Sequence, residues 1–148
     1  MTAGWTLSAS LATDIAAVPG RHLAVPVDAL ATCVYPLRDR HGAWTPQALP
    51  LWPVALYVAL DEQHRCLYTG VVQRGTTEHP DMNAIRHRTS EHYRGNEPPE
   101  ARATWHFLWV IPLNHSLPRA DLEEWETRVR RRTASTQTRR SRLLRPAV

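Results

Sequence analysis

The chain has 148 residues, 43% of them hydrophobic and 22% charged, a balance that fits one globular domain and excludes chain-wide disorder. No apolar run approaches the roughly 18–20 residues of a membrane span, and a chain this long buries enough surface to fold without disulfide or metal staples. The net charge of +4 hides an asymmetry: all 18 basic residues are Arg, residues 1–126 hold ten of them with all 14 carboxylates, and residues 127–148 hold eight Arg with no carboxylate. A mildly acidic body of −4 thus precedes an end of +8, which argues against a uniformly basic nucleic-acid coat and for a basic arm that meets a polyanion. Cys33 and Cys66 stand alone, without CxxC spacing, and read as reduced thiols of an intracellular, cytoplasmic protein. The first apolar stretch lacks the basic flank of a secretory signal.

In chain order, residues 7–18 predict a short helix ended by Pro19-Gly20. Asp28 is placed to cap a second short helix over Ala29–Tyr35, although Thr32–Tyr35 suits a strand equally. Residues 36–53, with four prolines, predict an extended connection. Val54–Leu60 and Cys66–Val72, joined by the polar Asp61–Arg65, predict a β-hairpin. A polar loop over Gln73–Met82 leads to a helix over Ala84–Arg94, capped by Asp81 or Asn83 and stopped by Gly95, Pro98 and Pro99. Trp105–Leu113 fits a buried strand. Ser116 and Pro118 mark the start of a last helix running to Arg132, with Leu122, Trp125 and Val129 on one face. The rest is Thr, Ser and Arg with little periodicity. This divides the chain into an extension (1–53) packed on the core, a body (54–132) and a basic tail (133–148).

One set of residues carries chemistry. Tyr57 lies in the first hairpin strand and Tyr68-Thr69-Gly70 in the second. Arg88 and His92 are four apart and share a helix face. Glu126 lies closer to the buried stripe of the last helix than Glu123 or Glu124. Each has a plainer reading. The tyrosines suit strands in any protein, Arg88 sits in an Arg-His-Arg run typical of a solvated face, a lone His92 is more often a surface or satisfied histidine than a base, and Glu126 has Arg86, Arg119 and Arg130 as structural partners. The Trp residues read mainly as core, and the His spacing does not suit zinc.

Taken together, this pattern resembles the GIY-YIG nuclease superfamily over roughly residues 54–132. Its two tripeptides match Ala55-Leu56-Tyr57 and Tyr68-Thr69-Gly70, its helical Arg followed four residues on by Tyr or His matches Arg88 and His92, and its metal-binding Glu is best matched by Glu126. The resemblance implies an α+β fold, a small three-stranded antiparallel sheet flanked by helices in the order β-β-α-β-α, here behind an N-terminal helical and irregular extension. There are departures. Ala55 replaces the first Gly, and the loop before the Arg88 helix is long, so residues 73–83 are assigned a local substrate contact. No Asn follows Asn114, so the family's late Asn is absent or replaced by a Thr, Ser or Arg of the tail.

The implied activity is metal-dependent endonucleolytic hydrolysis, with DNA as the expected partner. Arg88 suits phosphate, being permanently charged and bidentate. Glu126 is the expected ligand of a single Mg2+ or Mn2+, ions that prefer oxygen and keep water. The resemblance makes Tyr57 the general base, with Tyr68 and His92 orienting water or phosphate, and in some members the His shares the base role. Arg74, Arg86, Arg130, Arg131, Arg139, Arg140 and Arg142 are the expected nucleic-acid contacts, through phosphate. The alternative is a catalytically silent nuclease-like fold that binds nucleic acid or protein.

Overall fold

A computed structural model describes residue 16, residues 18–95, residues 100–134 and residue 137. The expected helix over 7–18, apart from Ala16 and Val18, together with Pro98, Pro99 and the tail arginines Arg139, Arg140 and Arg142, therefore lies outside the described residues. The fold is α+β. Four strands, β1 (Val34–Pro36), β2 (Val54–Leu60), β3 (Cys66–Gln73) and β4 (Phe107–Pro112), form one antiparallel sheet in the order β1-β4-β2-β3. The helices are α1 (Ala84–Tyr93), the single turn α2 (Ala101–Thr104) and α3 (Arg119–Thr133). No helix among the described residues is long and apolar enough to cross a membrane.

The expectation of three strands is corrected to four. β1 pairs with β4, Val34 against Trp109 and Pro36 against Phe107. The two readings of residues 29–35 are each partly met: a 3-10 turn over Val27–Thr32 is followed directly by the strand. Asp28 lies inside that turn and caps nothing. Pro36 is tolerated because β1 is an edge strand. Residues from the extension also enter the core, with Leu30 and Leu37 buried on opposite faces of the sheet.

β2 is central, and every one of its residues is buried, which is why it reads as an unbroken apolar run. Its even positions, Val54, Leu56, Val58 and Leu60, pack with Trp109 and Ile111 against the Leu122, Trp125 and Val129 stripe of α3. Each of those α3 side chains contributes roughly 1.5–3 kcal/mol of burial. Its odd positions, Ala55, Tyr57 and Ala59, face the other way, with Tyr68, Val72, Ala84, Ile85 and Trp105. The hairpin loop is closed by Asp61, whose carboxylate accepts from the Gln63 and Arg65 amides at 2.9 Å and from Arg65 Nε at 2.7 Å. α1 ends at Gly95, whose φ of +104° suits a residue without Cβ.

Candidate active site

The site begins with the small residues around Tyr57. Ala55 and Ala59 flank it on the same strand face, and Gly70 is its cross-strand partner. A Cβ on Gly70 would stand 2.5 Å from Cζ and Oη of Tyr57 and 2.9 Å from Cε1 of Tyr68. The glycine therefore lets the Tyr57 phenol lie across β3, an edge strand.

α1 supplies the next groups. His92 is fully buried, and its Nε2 shares a hydrogen bond of 2.8 Å with Tyr57 Oη. Rings enclose the pair: His92 lies 5.1 Å from Tyr68 and 4.7 Å from Trp105, between centroids. Burial pushes the Tyr57 phenol well above its ordinary pKa; the neighbouring Tyr68 adds to this and Arg88 opposes it. Tyr68 is raised in the same way, by burial first, against the pull of Arg88. Both phenols are neutral groups at physiological pH.

One turn before His92, Arg88 reaches the mouth of the site. Its Nη1 donates to Glu91 at 2.9 Å, and Arg74, at the end of β3, donates to the same carboxylate oxygen at 2.7 Å. The hydrogen bond from Arg74 leads in holding Glu91 down at about 2, Arg88 adding its own against the opposing effect of burial. Arg74, Arg88 and Arg119, with Val71, Val72 and Gln73, line an open cleft of about 240 Å3. Three guanidiniums around one small cleft, two of them sharing Glu91, have the charge and geometry to suit an anion.

Glu126 approaches from α3, which packs on β3. Burial raises its carboxyl above the ordinary value, while Arg130 and Arg119 pull it down and Glu123 pushes it up. Its electrostatic influence reaches both Tyr57 and Tyr68. Glu123 and Glu124 are exposed. The structure thus brings Tyr57, Tyr68, Arg88 and His92 together, with Arg74 at the mouth, while Glu126 acts on the two phenols from α3 through its charge.

Other expected contacts fall elsewhere. Arg86 donates Nε to the Leu49 carbonyl at 3.0 Å, tying α1 to the turn over Pro46–Ala48. Arg130 is only 12% exposed and pairs with Glu126 at 3.4 Å, so it sets the charge around that carboxylate rather than presenting itself to a ligand. Arg131 is exposed on the last turn of α3.

Four residues belong to the site without having been singled out for it. Glu91 had a visible signal, three residues after Arg88 on one helix. Arg119, named only as a structural partner of Glu126, had none, because its place in the cleft depends on how α3 docks. Trp105 read simply as core. Gln137 accepts from Trp105 Nε1 at 3.0 Å and donates its own amide to the Leu67 carbonyl at 2.7 Å, bracing the ring that packs on His92.

Among the described residues no three His, Cys, Asp or Glu side chains gather as a metal-binding group. Of the two site carboxylates, Glu91 is engaged by Arg74 and Arg88, which leaves Glu126 as the candidate metal donor. That donor suits a hard, largely hydrated divalent ion, which takes one or two carboxylates and fills its shell with water. It does not suit zinc. The chain matches no protein-family model, no curated protein and no solved structure.

Proposed function

We propose that the protein is a metal-dependent endonuclease of GIY-YIG type that hydrolyses phosphodiester bonds in DNA. The observation that carries this reading is the grouping of two phenols and a histidine with Arg88, beside a cleft lined by three arginines and within electrostatic reach of Glu126. The order β2-β3-α1-β4-α3 agrees with it, the single-turn α2 and the added edge strand β1 being extras.

In this reading Arg74, Arg88 and Arg119 seat the phosphate, and Arg88 neutralises charge developing on its oxygens. Glu91 holds Arg74 and Arg88 in place before the phosphate arrives. A neutral phenol with a raised pKa is a poor base by itself. Its bond to His92 Nε2 supplies the remedy. Tyr57 passes its proton to His92 while its oxygen accepts one from the attacking water, so no phenolate accumulates. Tyr68 and Trp105 exclude bulk water from the pair. Glu126 would hold Mg2+ or Mn2+, and the ion would supply positive charge for the phosphoryl and leaving oxygens.

The test is incubation of the purified chain with plasmid, linear and branched DNA in Mg2+ or Mn2+, against a chelator control. Cleavage that needs the ion is expected. Binding without cleavage of any substrate would assign the silent, nucleic-acid-binding fold instead.

A further inference from the structure

A second cavity, of about 360 Å3, adjoins the arginine cleft, and the two share Gln73 and Arg74. It lies between the loop after β3 and the segment leading into α3. Its polar lining is Gln73, Arg74, Thr76, Thr77, His115 and Ser116, and no carboxylate lines it. Pro53, Pro80 and Pro118 supply apolar walls. His115 Nε2 is buried and has no hydrogen-bond partner among the described residues. The ring is held against Trp52, 4.5 Å between centroids.

The walls are built before any ligand arrives. Gly75 (φ +80°) turns the loop so tightly that a Cβ there would stand 2.5 Å from the Asp81 amide nitrogen and the His79 carbonyl oxygen. The Thr76 hydroxyl accepts from the His79 amide at 2.9 Å. Gln73 Nε2 donates to the Leu117 carbonyl at 2.9 Å and joins the two sides. The volume falls within the range of about 300–1,000 Å3 usual for small-molecule pockets.

We propose that this cavity is a nucleoside subsite, which takes the base and sugar attached to the phosphate seated at Arg74, Arg88 and Arg119. The inference rests on the phosphate reading of that cleft and adds what the substrate must be. Arg74 belongs to both cavities, so phosphate and nucleoside are held next to one another. The orphaned His115 nitrogen and the Thr77 and Ser116 hydroxyls suit the edge of a base, and the prolines suit its face. A pocket for one nucleoside does not admit a stacked base pair, so the bound nucleotide is unpaired or turned out of its helix. Single-stranded, branched or mismatched DNA is then preferred over plain duplex.

The test uses the full chain, in chelator, titrated with inorganic phosphate and with 5′-mononucleotides. At least one mononucleotide should bind about tenfold tighter than phosphate. Ser116→Trp, which fills the cavity from an exposed position, and His115→Ala should each bring the two affinities together and leave phosphate binding unchanged. Equal affinities in the natural chain would overturn the subsite and leave the phosphate cleft standing. An advantage that survives both variants would place the nucleoside elsewhere and overturn the assignment. If neither phosphate nor mononucleotide binds, the cleft fails, and with it both this inference and the proposed function.

Discussion

The two faces of the sheet are built from alternate residues of the same strand, yet they do different things. On the α3 face, Val54, Leu56, Val58 and Leu60 meet Trp109, Ile111, Leu122 and Val129, all aliphatic or indole surface. On the α1 face Ala55 and Ala59 flank Tyr57 on its own strand, Gly70 lies across from it, and its ring neighbours are Tyr68 and the buried His92. The α3 face is mainly hydrocarbon, with Thr69 and the Trp109 indole N–H among its buried polar groups. The other buries a cluster of titratable rings, Tyr57, Tyr68 and His92, in which Tyr57 and His92 share a hydrogen bond. A buried hydrogen bond of this kind adds roughly 0.5–1.5 kcal/mol net, less than the close packing of a large apolar side chain.

That contrast can be broken most sharply by Tyr57→Phe. It removes one oxygen, so cleavage should fall by ~1,000-fold. The melting midpoint should fall only modestly, since the change takes from the buried His92 Nε2 its bond to the phenol, a cost of about 1–3 kcal/mol. A variant that cuts normally would return Tyr57 to the role of a strand residue. The converse change is Leu56→Ala on the opposite face. It should cost about 2–5 kcal/mol in denaturant unfolding. Where the variant remains folded, its activity per folded molecule should be unchanged.

Gly70→Ala tests the link between the faces and the edge. The new methyl would collide with the Tyr57 phenol, so a loss of about 1–3 kcal/mol is expected, together with cleavage reduced more than in Leu56→Ala. Equal activity in the two would show that the phenol does not need its place over β3. The smallest effect concerns Glu91, whose side chain is a quarter exposed. Its pKa is lowered from 4.5 to about 2, so its contribution to stability is complete above the unfolded value. It is lost as pH falls from about 4.5 towards about 2. After allowance for solvent screening the gain is on the order of 1 kcal/mol. Glu91→Gln should therefore be less stable than the natural chain at pH 7, and the gap should close across that acid window. A gap independent of pH would mean that the ion pairs with Arg74 and Arg88 do not carry the effect.

The same contrast explains what could be read from the chain. The bounds of β2, most of α1 and the buried stripe of α3 follow from local rules: an apolar run, helix stop signals and a helical period. The position of Glu126 beside that stripe follows from wheel angle alone. β1 was ambiguous because three residues ending in Pro36 carry almost no periodic signal, and β4 decides the matter by pairing with them. Arg119 and Gln137 enter the site through the docking of α3 and the turn after it, which no local pattern encodes. The charge count needs the same refinement. The basic end was the expected phosphate-seeking part, yet Arg74, Arg88 and Arg119 belong to the acidic body and converge only after folding.

The most direct measurement is cleavage of DNA by the Glu126→Ala variant beside the natural chain, in the same Mg2+ or Mn2+ buffer, with both shown to be folded by thermal melting. The account predicts that the natural chain cuts and that the variant loses ~100-fold or more while still binding DNA through its arginines. Undiminished cleavage by folded Glu126→Ala, or no cleavage by the natural chain, would contradict it.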